Sequence, residues 1–265
     1  MAAKPRPLAQ IEGFMVDLDG TTYLGDHLLP GAEEFYHAAR ELGKRVLYLT
    51  NNSSRSPEQY LGKLRALGIP ARNDEVFTSG EATLSYLKQK ECRRIYAIAT
   101  TEFRRMMVEA GFELDEKNPD YVVLGFDTEL TYEKLKKGCL LLADGVRFVA
   151  THPDVVCPTA EGDVPDAGSV LALIEAATGR KPEVVVGKPN PLMLEFALTR
   201  LKVPKAAAAM IGDRLGTDVA MAALAGVTSI LVLSGVTTAE EARKYRHKID
   251  YVVQSVADIV PLLTS

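Results

Sequence analysis

In the stretch FMVDLDGTT, at residues 14–22, a short apolar run ends in two carboxylates. Residues 14–16 are apolar without alternation, which is typical of a buried strand in a parallel sheet. Asp17 and Asp19 follow at the carboxyl end of this strand, where open α/β sheets bind their ligands. Two acids so close in a dry site need a cation or a proton between them, so the pair predicts a hard metal ion, a perturbed pKa or both. The alternative that these residues leave open is a solvated turn, which Asp and Gly both favour.

Apolar strands alternate with amphipathic helices along the whole chain. Strands are predicted at residues 14–16, 45–50, 76–78, 94–99, 121–124, 147–150, 184–186, 207–211, 229–233 and 251–253. This order predicts an α/β fold, in which a doubly wound, Rossmann-like parallel-sheet core carries an inserted α/β domain. The strands of the middle group do not end in acidic clusters. The core is therefore predicted at residues 1–80 and 183–265, and the inserted domain at residues 81–182.

Length and composition narrow the classes of function. A chain of 265 residues exceeds the usual size of a single core, which favours two domains. The net charge of -4 gives no general attraction to nucleic acid or to an anionic membrane, so neither is a predicted partner. The start of the chain lacks the apolar core of a signal peptide and no run reaches transmembrane length, so a cytoplasmic location is predicted. The three cysteines match no metal-ligand or redox spacing.

Polar and charged residues stand at other strand ends and helix starts of the predicted core. Thr50 and Asn51 end the second strand, Lys188 lies just before a helix, and Asp213 and Asp218 follow a later strand. Because the carboxyl ends of parallel strands share one edge of a sheet, we expect these residues to converge with the first acidic pair. Carboxylates suit magnesium, while the lysine and a helix amino terminus suit an anion, so the group predicts a phosphate ester as ligand. Taken singly, each residue is equally compatible with a strand, a turn or a solvated side chain.

The order of these motifs resembles the haloacid dehalogenase superfamily. Asp-x-Asp-Gly-Thr at residues 17–21 is followed by Thr-Asn-Asn at 50–52, Gly-Lys-Pro at 187–189 and Gly-Asp-Arg at 212–214. The chain is most similar to the nitrophenylphosphatase or NagD-like branch, whose cap domain is inserted between the second and third motifs. The resemblance extends over nearly the whole chain, including GFD at residues 125–127 and TGRKP at residues 178–182 of the inserted domain.

The resemblance implies roles for the residues of the predicted site. Asp17 is the nucleophile that forms an aspartyl-phosphate, and Asp19 protonates the leaving alcohol and later deprotonates the attacking water. The implied cofactor is Mg²⁺, and Lys188 together with this ion is expected to keep Asp17 ionised. The implied metal ligands are Asp17, the backbone carbonyl of Asp19, and Asp213. Asp218 is implied to orient these ligands without contacting the metal itself. The implied phosphate-binding residues are Thr50, Asn51 and Lys188.

The resemblance further implies that the cap closes over the site and determines which substrate binds. Candidate specificity residues in its loops are His152, Asp154, Asp166 and Ser169, although each is equally compatible with an ordinary loop residue. The sequence THPD at residues 151–154 departs from the Asn-Pro-Asp expected in many relatives, so no relative's substrate transfers directly. Relatives often form homodimers through the cap, so the resemblance implies a homodimer here. The sequence itself shows no exposed apolar stripe that would support this assembly.

The predicted function is that of a magnesium-dependent phosphomonoesterase, a phosphatase of small soluble esters such as sugar phosphates, nucleotides and nitrophenyl phosphate. One alternative is a phosphomutase or phosphotransferase that uses the same aspartyl-phosphate. Another is a regulatory module that is phosphorylated on Asp without turnover, against which Asp19 and the inserted domain argue. The chain lacks the P-loop, the Gly-x-Gly-x-x-Gly fingerprint, the Gly-x-Ser-x-Gly elbow and the His-Glu-x-x-His zinc motif.

Overall fold

The computed structural model describes residues 5–159 and 161–265, which form two compact units. Each unit has its own parallel sheet, and neither is a continuous piece of the chain. The core unit comprises the chain up to Thr50, Tyr60–Phe77 and Lys188–Ser265, and the inserted unit comprises Asn51–Gln59 and Thr78–Gly187.

Strands and helices alternate as an α/β fold requires. The strands are β1 (Gly13–Asp17), β2 (Tyr23–Leu24), β3 (His27–Leu28), β4 (Arg45–Thr50), β5 (Val76–Thr78), β6 (Arg94–Ile98), β7 (Glu113–Leu114), β8 (Tyr121–Leu124), β9 (Arg147–Ala150), β10 (Val156–Thr159), β11 (Gly162–Pro165), β12 (Val184–Val185), β13 (Ala208–Gly212), β14 (Thr228–Val232) and β15 (Tyr251–Val253). The α-helices are α1 (Ala32–Glu41), α2 (Pro57–Ala66), α3 (Ser79–Gln89), α4 (Thr101–Glu109), α5 (Tyr132–Ala143), α6 (Ala167–Thr178), α7 (Pro191–Leu201), α8 (Ala220–Ala225) and α9 (Ala239–Lys244). Short 3₁₀ helices span Leu8–Gln10, Lys205–Ala207 and Val256–Leu263, and a π-helical turn spans Leu215–Val219. In the part of the chain that is described, no helix is both long enough and apolar enough to cross a membrane.

The core sheet has the strand order β15-β14-β13-β1-β4-β5, and β1 pairs in parallel with both β4 and β13. Counted within this sheet, the order is 3-2-1-4-5-6, which confirms the predicted doubly wound fold. All five residues of β1 are buried, and the ring of Phe14 packs edge-on against Phe35 of α1 with 5.4 Å between centroids. The winding reverses between β1 and β13, so the carboxyl ends of these two strands form the topological switch point at which such sheets bind ligands.

The sheet of the inserted unit has the order β12-β9-β8-β6-β7, and its strand pairs are parallel. Apolar side chains of β6, β8 and β9, among them Ile98, Leu124 and Phe148, form its core together with Leu142 of α5 and Ile174 of α6. A separate antiparallel hairpin, β10–β11, precedes α6. The inserted unit therefore has a hydrophobic core of its own.

One predicted strand lies in the other sheet. The prediction that residues 184–186 return to the core sheet is wrong, because Val184 pairs with Val149 and Val185 pairs with Ala150 of β9. The backbone N–H of Gly187 continues this pairing by donating to the carbonyl of Thr151 at 2.7 Å. The sequence of a short run of valines does not indicate which strand it pairs with, because that pairing depends on residues far apart in the chain. The two units accordingly differ from the predicted domain boundaries at residues 51–59, 78–80 and 183–187.

Candidate active site

Asp17 is the last residue of β1 and is buried at the switch point of the core sheet. The parallel register places it beside Leu49 of β4, and the preceding Val16 pairs with Ile211 of β13. The hydroxyl of Thr22 donates to the Asp17 carbonyl at 2.7 Å and ties the following turn back onto the strand end. A carboxylate is thus fixed at the edge where a doubly wound sheet binds its ligand.

Asp213 follows β13 directly and is fully buried. Its Oδ2 accepts a hydrogen bond from the backbone N–H of Val236 at 2.7 Å. Its Oδ1 is buried and has no hydrogen-bond partner within residues 5–159 and 161–265. Two glycines make room for it: a Cβ on Gly20 would lie 2.5 Å from Asp213 Oδ2, and a Cβ on Gly235 would lie 2.0 Å from the same atom. The carboxylate therefore sits in a backbone cradle with one oxygen left for a ligand.

Lys188 connects two carboxylates of the core unit. Its buried ammonium group forms an ion pair with Asp17 Oδ1 and another with Asp218 Oδ1, the latter at 2.7 Å. Asp218 lies on the π-helical turn, and its Oδ2 accepts from the backbone N–H of Arg214 at 3.2 Å. Only glycine fits at position 212, because a Cβ there would lie 2.3 Å from Asp218 Cγ. Lys188 thus contacts the nucleophile candidate directly, and Asp218 holds the ammonium group of Lys188 in place.

The site carries more negative than positive charge. Burial raises the pKa of Asp17 well above its usual range; Lys188 opposes this shift, whereas Asp218 and Asp213 add to it. Burial and the neighbouring Asp218 also raise the pKa of Asp213. Burial alone would lower the pKa of Lys188, but its two carboxylate partners outweigh this effect and raise it. With every group ionised, three carboxylates face a single ammonium group, so two negative charges remain to be neutralised.

These residues fit a divalent metal ion. Asp17, Asp213 and Asp218 each offer a carboxylate oxygen, and the three oxygens lie within 4.8 Å of one another. A buried carboxylate oxygen without a hydrogen-bond partner, such as Asp213 Oδ1, is costly unless a cation satisfies it. An ion of charge +2 would also balance the two excess negative charges. The acidic cluster can therefore hold a divalent cation, and Asp218, whose oxygens also contact Lys188 and the N–H of Arg214, lies within the same cluster.

The other predicted residues of the active site lie as follows. The side chain of Asp19 is exposed, outside the cluster of three acids, and its predicted backbone contact with the metal stays a prediction. Thr50 is buried at the end of β4, one residue beyond the pairing partner of Asp17. Asn51 belongs to the inserted unit, where its Nδ2 donates to Asp154 Oδ2 at 3.0 Å.

Three of the four candidate specificity residues form a cluster within the inserted unit. His152 is fully buried, and its Nε2 lies 2.8 Å from Asp166 Oδ1. Asp154, with these two, offers ligand atoms within 4.8 Å of one another. Ser169 does not join them, because its hydroxyl donates to the carbonyl of Val155 at 2.7 Å. Their role in substrate choice stays a prediction.

The loop after β14 was not among the predicted site residues. It supplies the N–H of Val236 to Asp213, the close approach of Gly235, and the hydroxyl of Ser234, which donates to the Gly20 carbonyl at 3.0 Å. The available signal was the run of small and polar residues at 234–238, directly after an apolar strand of the core. Backbone donors carry no residue-type signature, so the sequence does not mark this loop as part of the site.

Comparison with known proteins identifies the family. Two family models match the chain, one described as haloacid dehalogenase-like hydrolase at residues 14–113 and one as HAD-hydrolase-like at residues 185–259. The 5'-nucleotidase YutF of Bacillus subtilis (strain 168) is 35% identical over 253 residues, which cover 95% of this chain and 98% of that protein. The chain belongs to the haloacid dehalogenase-like hydrolase family. The motif order had indicated this family, and the matches confirm it.

Further matches define the enzyme class. The acid sugar phosphatase of Staphylococcus haemolyticus (strain JCSC1435) is 38% identical over 235 residues, covering 88% of this chain and 89% of that protein. The solved structure of 4-nitrophenylphosphatase from Thermotoga maritima matches with a TM-score of 0.94 and 47% identity, covering 97% of this chain and 99% of that one. These similarities confirm the predicted HAD-type phosphatase and its nitrophenylphosphatase branch.

Proposed function

We propose that this HAD-type phosphatase is a magnesium-dependent phosphomonoesterase that hydrolyses small soluble phosphate esters through an aspartyl-phosphate on Asp17. The observation that carries the proposal is the buried arrangement of Asp17, Asp213 and Asp218 around Lys188 at the switch point of the core sheet. Phosphate monoesters react extremely slowly in water, and neutralisation of charge and positioning of the reactants supply most of the catalysis that they need. A buried nucleophile, a fixed cation and a cluster able to hold a metal ion provide both.

In the first step, a carboxylate oxygen of Asp17 attacks phosphorus, and the bond from phosphorus to the ester oxygen breaks. Asp19 gives its proton to the departing alcohol, which leaves as a neutral molecule. In the second step, Asp19 takes a proton from water as that water attacks phosphorus, and the release of inorganic phosphate restores the Asp17 carboxylate. The exposure of Asp19, in contrast to the burial of Asp17, supports this division of roles, because Asp19 has to exchange protons with substrate and water.

Lys188, Thr50 and Asn51 are the proposed phosphate-binding residues. The ammonium group of Lys188 already contacts the nucleophile, where it would also attract the phosphoryl oxygens. Thr50 is the last residue of β4, which pairs with β1, so it lies at the same edge of the core sheet as Asp17. Asn51 follows it directly in the chain, and its assignment rests on the family motif.

Mg²⁺ is the proposed cofactor. Asp17, Asp213 and the backbone carbonyl of Asp19 would hold it, with Asp218 beside them. Its preference for carboxylate and phosphate oxygens suits this set of donors, and when bound it supplies positive charge to the phosphoryl group. The unpartnered Asp213 Oδ1 and the two excess negative charges support its presence.

Sugar phosphates, nucleotides and aryl phosphates such as nitrophenyl phosphate are the proposed substrates. The support comes from the names of the three similar proteins, a 5'-nucleotidase, an acid sugar phosphatase and a 4-nitrophenylphosphatase. We further propose that residues 81–182 contain the determinants that select among these esters. The proposed reaction itself makes demands only on the phosphoryl group and the ester oxygen, so the choice of alcohol requires other parts of the chain.

The experiment that tests the function measures steady-state release of nitrophenol from nitrophenyl phosphate, with Mg²⁺ and with EDTA. Asp17→Asn should abolish turnover, and Asp26→Asn, an exposed acid in the same part of the chain, should not. Native turnover that persists in EDTA would contradict the metal assignment, and turnover in Asp17→Asn would contradict the nucleophile. A burst of nitrophenol that requires an acceptor to continue would instead indicate a phosphotransferase. A stable phosphorylated Asp17 without turnover would indicate a regulatory module.

A further inference from the structure

Asn51 is held from three sides within the inserted unit. Its Nδ2 donates to Asp154 Oδ2 at 3.0 Å, and its carbonyl accepts a hydrogen bond from the hydroxyl of Ser79. A Cβ on Gly187 would lie 2.7 Å from Asn51 Oδ1, so only glycine allows this side chain its position. Reversing the carboxamide would turn Oδ1 toward the carboxylate and set two acceptors against each other. Asp154 therefore selects one orientation of the Asn51 carboxamide.

The backbone that presents Asp154 is anchored to the start of α6. The N–H of Gly168 donates to the Asp154 carbonyl at 2.8 Å, and the N–H of Asp166 donates to the Val155 carbonyl at 2.9 Å. The approach is so close that a Cβ on Gly168 would lie 2.3 Å from the carbonyl oxygen of Pro153. The first turn of α6 thus fixes the loop from which the Asp154 side chain extends.

A chain of hydrogen bonds secures the same loop from the other end. The N–H of Phe126 donates to Ser53 Oγ at 2.9 Å, and Ser53 Oγ lies 3.0 Å from Thr151 Oγ1. Thr151 Oγ1 lies 2.8 Å from His152 Nδ1, and His152 Nε2 lies 2.8 Å from Asp166 Oδ1. A backbone N–H can only donate and a carboxylate can only accept, which assigns a direction to each hydrogen bond in the chain. Ser53 then donates to Thr151, Thr151 donates to His152 Nδ1, and His152 Nε2–H donates to Asp166.

This arrangement argues against a second metal centre in the inserted unit. His152, Asp154 and Asp166 have ligand atoms close enough to hold an ion. In the hydrogen-bonded chain, however, His152 Nε2 donates to Asp166 and Nδ1 accepts from Thr151, so an ion would have to displace one of these hydrogen bonds to reach either nitrogen. Asp166 also accepts the N–H of Ala167 and caps α6. The cluster is therefore a hydrogen-bonded support.

We propose that Asp154 is a positioning residue of the phosphatase reaction, which orients Asn51 for contact with the phosphoryl group. This inference rests on the proposed function, in which Asn51 binds phosphate. Asp154 then acts through Asn51 and not on the alcohol part of the substrate. The two roles have different consequences, because the phosphoryl group is common to all the esters and the alcohol is not.

The test compares Asp154→Ala and Asp154→Asn with the native protein on nitrophenyl phosphate, a hexose phosphate and a nucleoside monophosphate. For Asp154→Ala we expect kcat/KM to fall about 10- to 100-fold, the loss typical of a hydrogen bond to a charged group, and by the same factor for all three esters. Inhibition by inorganic phosphate should weaken in parallel. Asp154→Asn, which keeps one acceptor oxygen, should lose less. Asp163→Ala, an exposed acid on β11, is the matched control and should leave kcat/KM unchanged.

A double-mutant cycle and a spectroscopic signal complete the test. In an Asn51→Ala background, Asp154→Ala should cause no further loss, because its only target is gone. The side-chain amide resonances of Asn51, assigned by their absence in Asn51→Ala, should shift in Asp154→Ala. A loss that depends on the alcohol, multiplicative effects in the cycle, or unmoved amide resonances would each overturn the proposal. If the native protein hydrolyses none of the esters while the Asn51 resonances do shift, the proposed function fails and the positioning contact stands.

Discussion

Replacement of Gly235 by alanine tests whether the Asp213 carboxylate is cradled for a metal ion. A Cβ at position 235 would lie 2.0 Å from Asp213 Oδ2 and 2.5 Å from Cγ. Ordinary van der Waals contact begins at 3.4 Å, so the two groups have to separate by about 1.4 Å. All three of the nearest atoms belong to Asp213, and therefore the new methyl group acts on this carboxylate first.

The displacement is large compared with what a metal site tolerates. Distances from ligand to metal hold within about 0.2 Å, and a misplacement of about 1 Å at a reacting centre can cost about 100-fold in rate. We expect Gly235→Ala to lower kcat/KM for nitrophenyl phosphate at least about 100-fold. The hydrogen bond from Val236 to Asp213 is disturbed by the same shift, which should lower the free energy of unfolding by about 1.5–3 kcal/mol.

The assay measures nitrophenol release against Mg²⁺ concentration, together with the thermal midpoint in Mg²⁺ and in EDTA. Native protein should gain thermal stability from Mg²⁺, because a ligand that binds only the folded state stabilises it, and Gly235→Ala should gain little. Gly62→Ala is the control: this exposed glycine of α2 would have no atom within 4 Å of its new Cβ, and alanine favours the helix. The reasoning is refuted if Gly235→Ala keeps kcat/KM within about threefold and responds to Mg²⁺ like native protein.

Two further predictions concern the charges of the site. Lys188→Met leaves Asp17 and Asp218 buried without their cation, so it should lower the free energy of unfolding by about 3–5 kcal/mol. The control Lys181→Met removes an exposed ion pair and should change the free energy of unfolding by less than about 1 kcal/mol. Denaturant titration of both variants in EDTA measures these changes. Burial raises the pKa of Asp17 and Asp213 in the folded protein. Ionisation of these two groups therefore destabilises the metal-free fold at a pH above their raised pKa. This destabilisation disappears as the pH falls toward about 3.9, the pKa of Asp in the unfolded chain. The thermal midpoint should therefore rise more with Mg²⁺ at about pH 7.5 than at about pH 5.5, and an equal rise at both would contradict the assignment.

The elements that local patterns specify were predictable from the sequence. The bounds of β4, β5, β8, β9 and β15 match the predicted strands residue for residue, because each is an apolar run bounded by turn or helix signals. Asp17, Lys188, Asp213 and Asp218 converge at the switch point, as the rule for parallel sheets implies. A strand end and its first polar residue lie next to each other in the chain, so their position in the sheet can be read from a short window.

Features that depend on distant parts of the chain were not predictable. The sequence of α6, AGSVLALIEAAT, is apolar on most sides and lacks the single apolar stripe that marks an amphipathic helix. The partner strand of β12 and the membership of Asn51–Gln59 in the inserted unit depend on contacts between residues far apart in sequence. The segment Val256–Leu263 is a 3₁₀ helix that contains Pro261, which cannot supply the N–H of a regular helical turn.

The charge arrangement suits a site in which a fixed backbone positions carboxylates for a bound cation. Three buried carboxylates around a single lysine would repel one another in the bare protein. Burial is the largest cause of the raised pKa of Asp17 and Asp213, and the neighbouring carboxylates add to it. Asp213 keeps its place among them because the backbone of Gly20 and Gly235 lies close against its carboxylate and the N–H of Val236 donates to its Oδ2. A divalent ion held by these carboxylates would offset the repulsion. The same neutralisation admits a phosphate group, since a dianion would be repelled by the bare cluster. We therefore expect metal binding and phosphate binding to depend on the same balance of charge at this site.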